Sequence, residues 1–168
     1  MSGPGLQLDN AGRIEAPNGI LFDGPATILN RSSGTIRGTN GVGIRSIEGG
    51  RLQLDNAGSI TGQPAVLLAG PSASLLNRPT GLIRGVGGPA IQAIVGDTEL
   101  TNLGTIAGDV QLAPGGRNVV SVFPGSSIQG NLQLGSNPAS QLILNGEGRQ
   151  LYSQAVTGAT SGQAQLLQ

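Results

Sequence analysis

The chain has 168 residues, nine basic and nine acidic side chains, and all nine basic residues are arginine. A neutral surface makes no electrostatic case for nucleic acid or for an anionic membrane. The absence of His, Cys and Lys removes Ser-His-Asp triads, thiol nucleophiles, His or Cys metal sites, P-loops and Schiff-base chemistry.

Residues 1–5 have no basic start and no apolar segment, so no secretory signal is read there. No run approaches the ~18 apolar residues of a membrane helix. Gly is abundant at 30 residues and aromatics are only 2%. The core must therefore be built from Ile, Leu and Val.

The first predicted element is Leu6-Gln-Leu-Asp-Asn-Ala-Gly12. It recurs letter for letter as Leu52–Gly58, 46 residues later. A fixed period is the signature of a repeat architecture. Within it runs a shorter unit of Asn, then Gly, then Ile. Its copies are Asn10-Gly12-Ile14, Asn30-Gly34-Ile36, Asn56-Gly58-Ile60, Asn77-Gly81-Ile83 and Asn102-Gly104-Ile106. A sixth copy, ending in Ile128, has lost its Asn. The isoleucines lie 22, 24, 23, 23 and 22 residues apart.

Each unit holds three short extended runs. In the third unit they are Leu52-Gln-Leu54, Ser59-Ile-Thr61 and Ala65–Leu68, with Asn-Ala-Gly and Gly62-Gln-Pro between them. Period-two alternation bounded by Gly, Pro and Asn reads as strand and turn. Gly and Pro are too dense for a long helix. The expected fold is all-β: a right-handed parallel β-helix of about six rungs of 22–24 residues plus a partial seventh, with three strands per rung. A rung cannot bury its own apolar side, so rungs must stack. Six rungs make a rod of roughly 30 Å.

Three inner lines follow. One takes Leu8, Ile28, Leu54, Leu76 and Leu100. The second takes Ile14, Ile36, Ile60, Ile83, Ile106 and Ile128. The third takes Ile20, Ile44, Val66, Ile91, Val110 and Leu132. Residues 1–168 read as a single domain, with regular rungs over 6–145. Residues 146–168 read as a less regular C-terminal rung or cap, with weaker strand candidates at 150–156 and 164–167.

Asn10, Asn30, Asn56, Asn77 and Asn102 all end the first strand of a rung. Asn suits a turn, and stacked amides bond along a column, so these five are expected to form a structural ladder. The Gly column beside it, at 12, 34, 58, 81 and 104, fits a corner needing positive φ or close stacking.

These residues resemble the passenger domains of bacterial autotransporters, the type V secreted proteins, which are typically right-handed β-helices with Asn-x-Gly-x-Ile-x-Gly units. Asn102-Leu-Gly-Thr-Ile-Ala-Gly108 carries the match most closely. Ser127–Gly135 and Leu142–Gly148 look similar to sequence of that family. The resemblance covers about residues 6–167, and filamentous haemagglutinin-like adhesins use related repeats. The family's signal peptide and C-terminal membrane barrel are both absent, so the chain reads as an excised piece of a longer passenger. The resemblance implies export to the bacterial surface or release, with attachment through an outer-membrane barrel outside this chain. Lack of Cys suits such export.

Few residues invite chemistry. Gly85-Val-Gly-Gly-Pro-Ala90 loosely fits a dinucleotide fingerprint, but the following Ile91–Ile94 reads as strand where a helix is required. Polysaccharide lyases and hydrolases also use parallel β-helices. Asp9 and Asp55 are two rungs apart, roughly 9–10 Å, at the far limit for an inverting glycosidase pair. Both are expected as solvated turn residues. Asp23, Asp97 and Asp109 fall at different corners and suggest no calcium cage. Arg37 and Arg84, with Arg31 and Arg45 nearby in sequence, form a candidate basic stripe for an acidic glycan or a host surface. Aromatic platforms for sugars are missing. Asn30-Arg-Ser32 spells a glycosylation sequon.

The expected function is a non-catalytic stalk or adhesin module, with no cofactor or metal. Its partner is an unknown host or cell-surface ligand, glycan or protein, and exposed rod ends invite end-to-end self-association. The alternatives are a polysaccharide-binding or polysaccharide-degrading β-helix, and a folding-support region of an exported enzyme.

Overall fold

A computed structural model describes residues 5–146 and the strand segments 151–152, 156–157 and 165–167. The first rung shows the plan. Leu6–Asn10, Arg13–Ala16 and Ile20–Phe22 are its three strands, and Ala26–Asn30 then opens the second rung directly beside Leu6–Asn10. Every strand pairing is parallel and joins a rung to the next. The result is a three-sided parallel β-solenoid with no helix among the described residues.

The three sheets hold eight, seven and seven strands. The first runs from Leu6–Asn10 through Arg51–Asn56 and Asp97–Asn102 to Gln165–Leu167. The second starts at Arg13–Ala16 and the third at Ile20–Phe22. Strands Leu151–Tyr152, Val156–Thr157 and Gln165–Leu167 carry the stacking past residue 145. A capping role for residues 146–168 falls largely outside the described residues.

The isoleucine line lies in register from Ile14 through Ile36, Ile60, Ile83 and Ile106 to Ile128. All but Ile14 are buried, and Ile14, in the end rung, is partly buried. The third line runs Ile20, Ile44, Val66, Ile91, Val110, Leu132, also in register. The first line differs at one place. Leu75, not Leu76, aligns with Leu54 and Leu100 and is 1% exposed. The buried Asn sets the phase. Asn77 points inward, so period two puts Leu75 inside and Leu76 outside, and a one-residue slip reverses the faces.

The Gly column owes its identity to close stacking. None of Gly12, Gly34, Gly58, Gly81 and Gly104 has a positive φ. A Cβ on Gly81 would stand 2.5 Å from the Asn56 carbonyl oxygen and closer still to Asn77 Oδ1. At Gly12, in the end rung, a Cβ meets nothing within 4 Å. Gly81→Ala is therefore expected to lower stability by about 3 kcal/mol, the upper range for overpacking. Gly12→Ala should stay within about 0.5 kcal/mol of the parent. Urea unfolding of the two variants reads the difference, and equal losses would refute the stacking account.

Candidate functional site

The side chains with the most polar contacts lie at the corner between the first and second sheets. Asn10, Asn30, Asn56, Asn77 and Asn102 stand in register there. All five are buried, four of them completely. Each Nδ2 donates to the Oδ1 of the next Asn, at 2.8 Å from Asn10 and Asn30 and 2.9 Å from Asn56 and Asn77. Asn102 ends the ladder by donating to the Ser127 carbonyl at 3.1 Å. Each Nδ2 also reaches the carbonyl that opens the next rung's second strand, as Asn30 does to Ser59 at 3.4 Å. Every amide thus points the same way along the rod. A buried amide with both ends satisfied carries no desolvation penalty, which is why a core tolerates this column. Asn30, the sequon residue, is fully buried and offers no attachment point for a glycan.

Just outside the ladder stand two ion pairs. Arg31 Nε and Nη2 donate to Asp9 Oδ1 and Oδ2, both at 2.6 Å. Arg78 makes the same bidentate contact with Asp55 at 2.6 Å. Each arginine follows a ladder Asn and reaches one rung back. The hydrogen bonds from Arg31 hold the Asp9 carboxyl below its ordinary value of 3.8, and the Asp9 contact raises the Arg31 guanidinium in turn. The Asp55 hydrogen bond likewise raises Arg78. Asp9 and Asp55 do share one outward line two rungs apart, with Leu29 between them. They are strand residues tied to arginines, however, where solvated turn residues were expected. Asp9, held ionised by Arg31, is a poor general acid.

The basic stripe assembles differently from its sequence outline. Arg37 and Arg84 lie on one outward line of the second sheet, with Thr61 between them. Arg31 is absent from it, being engaged with Asp9, and Arg45 lies on the third sheet. The missing member is Arg13, on the neighbouring outward line. Arg13 bonds Glu15, and Arg37 Nη1 stands 3.6 Å from the same carboxylate. Arg13, Arg37 and Arg84 line a groove of about 390 Å³ with Thr35, Ser59 and Thr61. Arg37 and Arg84, 47 residues apart, hold matching places in the two-rung repeat, whereas Arg13, 24 residues before Arg37, sits on the other outward line of its strand.

The outer face of the first sheet holds a second groove, of about 410 Å³, between Arg51, Asp97, Glu99 and Arg117. Its charges are mixed in sign, and Asp97 Oδ1 already accepts the Arg117 backbone N–H at 2.8 Å. Among the described residues no group of three acidic, His or Cys side chains is placed to hold a metal. The fingerprint glycines 85–88 join strand Leu82–Gly85 to strand Ile91–Ala93, so no helix N-terminus is there to meet a phosphate. One buried amide escaped the sequence reading. Asn118 donates to the Ala113, Gly116 and Leu134 carbonyls, between 2.9 and 3.1 Å. It pins the 113–116 turn to the rung that follows. Its position off the Asn-Gly-Ile pattern gave no signal.

No helix among the described residues is long and apolar enough to cross a membrane. No family model matches the chain, and neither does any curated protein or solved structure.

Proposed function

We propose that this chain is a non-catalytic rod displayed at a bacterial surface, a stalk or adhesin module within a longer autotransporter passenger. The observation that carries the reading is the uninterrupted stack. Between Leu6 and Asn145 the longest connection, residues 134–140, spans seven residues. No long loop rises to wall off a cleft, and catalytic groups are disproportionately borne on loops. The two carboxylates that invited a glycosidase comparison are each held by an arginine. The Asn-x-Gly-x-Ile spelling of the rungs supports the family and the surface location. Leu6, Leu8 and Ile14 are only partly buried at the first rung, which leaves an end suited to stacking on a further rung or a second copy.

The test is direct. The purified chain is incubated with anionic and neutral polysaccharides, with and without calcium, and reducing ends or unsaturated products are measured. No turnover is expected. Turnover abolished by Asp55→Asn would replace the rod with a polysaccharide-degrading enzyme. The secretion class is read from the reading frame, where a downstream outer-membrane barrel is expected, and a frame ending in any other module overturns it.

A further inference from the structure

The second sheet turns outward a surface whose polar groups are largely unengaged. Arg84 has no carboxylate partner among the described residues, and Arg37 has only the 3.6 Å contact with Glu15. The hydroxyls of Thr35, Ser59 and Thr61 have no hydrogen-bond partner among the described residues. Three guanidiniums face one carboxylate, a surplus of two positive charges on one face of a neutral chain. Two parallel strand steps separate Arg37 from Arg84, so their Cα atoms lie about 9–10 Å apart along the rod. Backbone hydrogen bonds fix that interval, which matches the length of an extended disaccharide.

We infer that this face binds a linear acidic polysaccharide laid along the rod axis. Anionic groups on successive disaccharides sit on Arg37 and Arg84, where a guanidinium grips a carboxylate or sulfate with two parallel hydrogen bonds. Sugar hydroxyls between them bond Thr35, Ser59 and Thr61. Nucleic acid fits less well. The groove has no aromatic ring on which bases stack. Ion pairs without ring stacking give a contact that salt weakens strongly.

The inference deepens the display reading and rests on it, since it names a ligand class for the same rod. Calorimetric titration uses the whole chain at low salt, with hyaluronan oligosaccharide, which carries one carboxylate per disaccharide, and neutral chitin oligosaccharide of equal length. Saturable binding is expected for the first and none for the second. Arg37→Gln with Arg84→Gln should weaken binding roughly tenfold or more, while the circular dichroism spectrum stays that of the parent. Arg45→Gln and Arg117→Gln, on other faces, should leave binding unchanged. Undiminished binding by the Arg37/Arg84 double variant overturns the site, as does equal binding of the neutral oligosaccharide or of single-stranded DNA. Binding with turnover removes the non-catalytic reading and keeps the site. No binding by a folded chain removes the site and keeps the rod.

Discussion

Ile60→Asp is expected to unfold most of the rod. Ile60 is 0% exposed and sits between Ile36 and Ile83 on a line of isoleucines with no polar atom to receive a carboxylate. The substitution removes about 3 kcal/mol of apolar burial and adds the larger cost of an unpaired buried charge. The total rivals the 5–15 kcal/mol that holds an ordinary domain together. The disruption falls in the third of the stacked rungs, so neither flanking stack retains its neighbour across the break. Thermal unfolding followed by circular dichroism should show no cooperative transition, or one shifted down by tens of degrees. Arg37→Ala, at a surface side chain half exposed to solvent, is the control and should move stability by less than about 0.5 kcal/mol. Equal shifts for both would mean that the inward and outward faces are assigned the wrong way round.

Asn56→Asp is expected to cost about 3–5 kcal/mol near neutral pH although it changes a single atom type. Asn56 Oδ1 accepts from Asn30 and its Nδ2 donates to Asn77 Oδ1. A carboxylate keeps the first bond and turns the second into two oxygens face to face, in a fully buried site without a cation. Burial and the opposed oxygen raise the folded-state pKa of the new group above its unfolded value near 3.9. The penalty is therefore present above that value and relieved below it, where the protonated acid donates to Asn77. Urea unfolding near pH 7 and near pH 4 should show the gap from the parent narrowing on acidification. A constant gap would refute the directional ladder.

Much of this fold was legible because one strand's alternation and the rung length are both written in the chain. The isoleucine and third lines follow from constant spacing. The Leu76 assignment failed because Leu75 and Leu76 are both leucine and only the buried Asn77 fixes the phase. The ion pairs were missed because Asp9 was weighed against Asp55, two rungs on, and Arg31 against Arg37, its neighbour in sequence. Asp9 and Arg31 lie 22 residues apart, and Asp55 and Arg78 lie 23 apart, which is one rung in each case. Opposite charges at that separation are a readable signal. Asn118 was beyond reach, since its partners come from the 113–116 turn and from Leu134, just past a strand, and share no motif with it.

The Asp–Arg pairs also bias the order in which copies stack. A chain of near-identical turns risks skipping one, because the ladder Asn and the isoleucine would align just as well with the next rung but one. The residue after the ladder Asn alternates: Ala11, Arg31, Ala57, Arg78. If the first rung docked on the third, Asp9 would face Asp55 and find an alanine where its arginine belongs. Each pair needs an odd rung against an even one, so the corner disfavours a copy docked one rung out of step, by the modest amount that exposed ion pairs contribute.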